Sequence, residues 1–168
     1  MTALTDLDRR LLVLLRTRLR APVLDDAAAT YAAMGESGGV WIALALGGAA
    51  ADPARRRRWL AAAGTVPLTL ALNYLVKRVV ARERPQIEGL EPFGRVPRSR
   101  SFPSAHAATS FAGATRIAAL VPGARRPLLA AATLMALTRP YLGVHYPSDV
   151  VAGAALGTLI ALGLEAAG

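Results

Sequence analysis

The feature that most constrains this chain is its succession of long apolar runs closed off by arginines. Trp59 to Val76 carries no charged residue, with Arg55 to Arg58 before it and Lys77-Arg78 after it. Continued as a helix to Ala81, it has about 20 residues, enough to cross roughly 30 Å of hydrocarbon. Pro67 is placed to kink it. Four further runs follow the same rule: Ala27 to Ala51, Ser104 to about Val121, Pro127 to about Leu142, and Pro147 to about Leu164. The pattern predicts an all-α, polytopic membrane helical bundle of about five transmembrane helices plus an N-terminal amphipathic interfacial helix. One domain is expected over residues 1–168, with the interfacial helix in 1–22, the bundle in 27–168 and the chemistry-bearing residues in 77–149.

Composition supports the membrane reading, with 54% hydrophobic residues and a mean hydropathy of +0.37. Because only 5% are aromatic and alanine is abundant, a soluble Ala-rich helical module is the rival. Net charge is +9. The basic residues bracket apolar runs instead of lining one polar face, so they favour anionic lipid or an anionic substrate and argue against nucleic acid. There is no cysteine, which excludes disulfide and thiolate chemistry. A cleavable signal is not expected, since Arg16 interrupts the short apolar core Leu11 to Leu15.

Between Leu4 and Leu19, seven leucines share one helical face with arginines mostly opposite, a pattern for a helix lying in the interface and ending near Pro22. Glu36, Ser37, Gly38 and Gly39 interrupt the first long run, making it the least regular span. Four prolines between Glu83 and Pro103 predict a surface loop. Gly153 and Gly157 form a small-xxx-small face suited to close packing inside the bundle. Arg116 is expected past the midplane, snorkelling to the face opposite the polar clusters or pairing within the bundle, with no part in the chemistry.

Three polar clusters punctuate the apolar sequence: Lys77 with Arg84-Pro85, then Pro103-Ser104-Ala105-His106, then Arg139, His145 and Asp149. Alternating spans place all three at one membrane face. Lys77 and Arg84, seven apart, are expected on one helical side before Pro85 ends the helix. Ser104 stands at an N-cap position whose free backbone N–H groups suit an anion, and His106 lies in the turn that follows. A carboxylate at Asp149 can fix the tautomer of His145 and leave its other nitrogen free to attack. Fixed cations, a nucleophile and an acid are what phosphoryl transfer requires. With no carboxylate cluster of metal-site type, metal-independent transfer through a phosphohistidine is expected, with no cofactor.

These residues resemble the type 2 phosphatidic-acid phosphatase family, whose signature reads K-x6-R-P, P-S-G-H and S-R-x5-H-x3-D. Lys77 to Pro85 matches the first piece. Ala105 replaces the glycine of the second and Thr138 the first serine of the third. The resemblance implies His145 as nucleophile, Asp149 as its orienting partner and His106 as general acid and then base. It implies Lys77, Arg84, Ser104 and Arg139, with the Ala105 backbone, as the phosphate-holding set.

Within that family the runs Lys77 to Val80, Ser101 to Ala107 and Leu142 to Asp149 look most like the short actinobacterial decaprenylphosphoryl-5-phosphoribose phosphatases. The function expected is hydrolysis of a polyprenyl-linked phosphate. Undecaprenyl-diphosphate, phosphatidylglycerophosphate and phosphatidate phosphatases share the same core, and a non-enzymatic lipid-phosphate binder or transporter is the alternative of another class. Expected partners are the lipid phosphate and membrane lipids, without nucleic acid; oligomeric state is left open. Basic residues are nearly balanced between the two faces, and with five spans the five N-terminal arginines tip the count toward a cytoplasmic site, whereas the family resemblance implies an extracytoplasmic one.

Overall fold

The computed structural model describes residues 3–167, and every regular element among them is helical. Seven α-helices follow in order: α1 (Ala3–Arg18), α2 (Pro22–Met34), α3 (Gly39–Ala51), α4 (Arg56–Val80), α5 (Ala105–Leu120), α6 (Arg125–Tyr141) and α7 (Pro147–Ala166). Single 3-10 turns lead into α3, α4 and α6. Two helical stretches, Pro53–Val80 and Pro147–Ala166, are long and apolar enough to cross a membrane.

The bundle is built around α5, which packs on α4, α6 and α7. Its inward residues are small, and that is what permits close approach: a Cβ on Gly153 or Gly157 of α7 would overlap the backbone of Ser104 or Ala108. The expected small-residue face therefore seals α7 against α5. Bulky residues point the other way. Leu60, Leu68, Leu75, Leu134, Leu137 and Leu159 are between 43% and 68% exposed, while Thr65, Thr69 and Asn73 of α4 are buried. Polar groups inside and leucines outside invert the pattern that water imposes. Interior hydroxyls bond within their own helix, as Thr69 does to the Thr65 carbonyl at 2.8 Å.

Two expectations need correction. The run Ala27 to Ala51 does not form one helix: Ser37 and Gly38 take left-handed backbone conformations, splitting it into α2 and α3 with 13 residues each. Arg84 does not share a helical side with Lys77, because Ala81 caps α4 in the left-handed region at φ 51°. Along α1 the protein-facing residues are Asp8, Leu12 and Arg16, all buried, while Leu4, Leu7, Leu11 and Leu14 are exposed. Their i, i+4 spacing puts the buried three on one stripe, so the leucine face is turned outward.

The other boundaries fall close to expectation. Pro67 is accommodated within a continuous α4, and residues 81–104 form the long connection without a helix. Arg116 pairs with Glu165 near the end of α7, and Arg58 reaches the same carboxylate at 3.1 Å. That end of the bundle is remote from both histidines.

Candidate active site

Five of the singled-out residues, Lys77, Arg84, Ala105, His106 and His145, line one small cavity of about 40 Å³ at the end of the bundle. Its further lining includes Glu36 and Tyr74. A larger cleft of about 830 Å³, bounded by α2, the 93–99 segment and Arg139, shares Glu36, Tyr74, Pro97 and Ser99 with it. The last turn of α4, the first turn of α5, the end of α6 and the α6–α7 loop meet here, at one face as the alternation of spans requires.

His145 sits in the α6–α7 loop, where Gly143 turns the chain at φ 77°. That left-handed turn calls for glycine, and a side chain there would also displace the Arg16 guanidinium that lies against it. Arg84 Nη1 lies 3.1 Å from His145 Nε2. Because a guanidinium can only donate, Nε2 accepts, and the proton of the neutral ring belongs to Nδ1. Nδ1 is 3.4 Å from Asp149 Oδ2. Burial pushes the His145 pKa down to about 3, the nearby charges of Arg84 and Lys77 add to the effect, and Asp149 opposes it. At neutral pH the ring is thus uncharged and carries its lone pair on Nε2.

The cations are held by backbone. Lys77 Nζ donates to the carbonyls of Arg100 (2.6 Å) and Ser101 (3.2 Å), leaving one ammonium N–H. Arg84 donates to Pro97, Ser99 and Val144 carbonyls, tying the long loop to the histidine loop. Arg139 is 4% exposed, and its Nε is buried without a hydrogen-bond partner. An uncompensated buried guanidinium is costly, so the pocket is built for an anion.

One expected ligand, Ser104, and the motif residue Thr138 are engaged within the protein. Ser104 caps α5 by accepting from Ala107 N–H at 3.4 Å, and its own N–H donates to the Asp149 carbonyl; it is fully buried and does not line the cavity. The Thr138 hydroxyl donates to Met135 O at 2.7 Å. His106 Nε2 stands 3.0 Å from the Ala32 carbonyl, which can only accept, so this nitrogen carries a proton. No sequence signal marked Ala32 as a neighbour of His106. Among the described residues no group of three His, Asp or Glu side chains is placed to hold a metal ion.

Residues 58–166, which contain all three motifs, match the sequence model of the PAP2 superfamily. The chain belongs to that superfamily. It is 46% identical over 119 residues to a decaprenylphosphoryl-5-phosphoribose phosphatase of Mycolicibacterium smegmatis, a match covering 71% of this chain and 65% of that protein. Among solved structures, it superposes on a transmembrane PAP2-type phosphatidylglycerolphosphate phosphatase from Bacillus subtilis with a TM-score of 0.80 and 23% identity, covering 99% of this chain and 86% of that one. Aquifex aeolicus LpxE superposes with a TM-score of 0.76 and 26% identity, covering 93% of each chain. The PAP2 match begins within α4, so α1, α2 and α3 lie outside the superfamily signature.

Proposed function

We propose that the whole chain forms one multi-pass membrane phosphatase domain that removes a phosphoryl group from a lipid-linked phosphate. The observation that carries this reading is the unpaired, buried Arg139 beside a cavity where Lys77 and Arg84 surround a neutral imidazole. A phosphoryl group would supply the missing negative charge. His145 Nε2 attacks phosphorus, forming the N–P bond as the bond to the leaving oxygen breaks; His106 donates a proton to that oxygen. Developing charge on the imidazole is stabilised by Asp149, and charge on the equatorial oxygens by Lys77, Arg84 and Arg139. Water, deprotonated by His106, then cleaves the phosphohistidine.

The substrate proposed is a polyprenyl-linked phosphate such as decaprenylphosphoryl-5-phosphoribose, which the Mycolicibacterium relative is named for. A cleft of about 830 Å³ lined by Arg95 and Arg98 has room for a sugar phosphate while the exposed leucines face lipid. The proposed topology carries α4 to α7 across the bilayer, with α2 and α3 together making the remaining crossing and α1 on its surface; the site opens to the extracytoplasmic side.

The decisive experiment is phosphate release by purified protein in detergent with EDTA. Four lipids form the panel: decaprenylphosphoryl-5-phosphoribose, undecaprenyl diphosphate, phosphatidylglycerophosphate and phosphatidate. Turnover of the first in EDTA, abolished in His145→Asn, is expected. Full activity of His145→Asn would remove the nucleophile assignment; binding without release would favour a lipid-phosphate carrier.

A further inference from the structure

The carboxylate of Asp149 is held from behind by a side chain that none of the three motifs specifies, at an unassigned position of the first. Arg82, two residues past the end of α4, donates from Nη1 to Asp149 Oδ1 at 2.7 Å and to Ser148 Oγ at 2.8 Å. Its Nη2 donates to Asp8 Oδ2 of α1 at 2.8 Å, and its guanidinium carbon lies 4.1 Å from the centre of the Tyr146 ring. Asp8 in turn accepts from the Ser148 backbone N–H at 2.9 Å and from the Ser148 hydroxyl. Asp8 is 2% exposed and Asp149 fully buried.

With Oδ1 committed to Arg82, Oδ2 accepts from Tyr146 N–H at 2.9 Å and faces His145 Nδ1 at 3.4 Å. The carboxylate plane cannot rotate without giving up a charge-assisted bond. The geometry points to Arg82 as a positioning residue of the active site, steadied by Asp8 of the surface helix α1, so that α1 forms part of the machinery that orients Asp149 and His145. This rests on the proposed reading of His145 as nucleophile. It goes beyond that reading because Arg82 touches no substrate position and Asp8 belongs to a segment outside the superfamily match.

A second strut makes the role of α1 more than local. Arg16, two turns after Asp8 on the same stripe, donates from Nη2 to the Glu91 carbonyl at 2.7 Å and lies against Gly143. One helix thus braces the start of α7, the histidine loop and the long connection together. Leu7 and Leu14 stand on its opposite face and Leu11 at its side, all exposed. Seating on the bilayer and support of the site are opposite faces of one rod.

The two sides of Arg82 can be separated experimentally. The charged and titratable groups facing His145 are Asp149 of α7, Arg84 of the loop and Lys77 of α4, with His106 of α5, Tyr74 of α4 and Glu36 on the cavity wall. Removing the Arg82 charge leaves the negative charge of Asp149 less compensated, which favours the imidazolium. Arg82→Gln should therefore raise the acid limb of the kcat/KM profile, whereas Arg82→Lys keeps the charge and leaves the limb in place. Outer partners that orient metal-binding histidines are worth about 10–100-fold in activity; on the same scale both variants should lose kcat while KM changes little.

The assay uses full-length protein in detergent and the panel lipid that wild type turns over fastest, with inorganic phosphate as competitive inhibitor. The phosphate Ki should stay within about twofold in both Arg82 variants and in Asp8→Asn, since Lys77, Arg84 and Arg139 are untouched. Asp8→Asn should lower kcat, and adding it to Arg82→Gln should cost less than the product of the single losses, as coupled groups do. Unchanged kcat in all three variants, or a phosphate Ki rising in step with the fall in kcat, would overturn the inference. His145→Asn run alongside separates the claims: if it is inert, only the positioning role is under test, and if it is fully active, the nucleophile reading itself has failed.

Discussion

His145 shows how much of a residue's chemistry is set by what surrounds it. Its neutral ring follows from burial, and the lone pair on Nε2 follows from facing a guanidinium that can only donate. The folded pKa of about 3 lies below the ordinary histidine value of 6.5. Between these values the unfolded chain takes up a proton that the folded one refuses, so stability present above about pH 6.5 is lost as the pH falls. His145→Asn should therefore lose less of its Tm than wild type between pH 7 and 5, measured by thermal unfolding in detergent; equal losses would show that the ring is not held neutral. Arg139 makes a complementary case. Its buried, unpaired Nε predicts that Arg139→Ala lowers kcat/KM by about 100-fold or more, the scale of losing one donor to developing charge, and weakens inhibition by inorganic phosphate. A Ki for phosphate equal to wild type would remove Arg139 from the anion site.

At the scale of elements, the α5–α7 contact decides whether the three motifs can meet. Position 157 admits nothing larger than glycine, because a Cβ there overlaps the Ala108 backbone, whereas position 163 on the same helix has open space around it. Gly157→Leu should lower stability by about 2 kcal/mol or more, since overpacking in a close contact usually costs 1–3 kcal/mol. Gly163→Ala should be neutral or stabilising by up to ~1 kcal/mol through helix propensity. Thermal unfolding of both variants in one detergent checks the pair, and equal midpoints would mean that α7 is not seated on α5 through its glycines. The long connection depends on the same architecture. With four prolines it has no helix of its own, and Arg84 and Lys77 hold it by donating to its carbonyls.

At the scale of the whole molecule, exposed leucines around a core of alanine, glycine and threonine mark a surface made for hydrocarbon. The site gathers at one end and the Arg58, Arg116 and Glu165 cluster at the other. The proposed orientation predicts that Arg95→Cys is labelled by a membrane-impermeant maleimide added to intact cells, while Arg57→Cys is labelled only after permeabilisation. The reverse pattern would place the site at the cytoplasmic face. Both positions are exposed, so access to the reagent depends on the side of the membrane and not on burial.

By itself the sequence determined the helical class, the bounds of the last three helices and the meeting of three motifs at one end, because apolar period and run length are local properties that the bilayer reads directly. It marked the interruption at Glu36 to Gly39 but could not tell an irregular span from two separate helices, nor show that Asp8, Leu12 and Arg16 are the residues of α1 that turn inward. Nor did it single out Arg82, which reads as one more anchoring arginine until Asp149 and Asp8, 67 and 74 residues away, close on it from two sides. Those features rest on pairings between distant segments, and only the packed tertiary structure brings such segments within hydrogen-bonding reach.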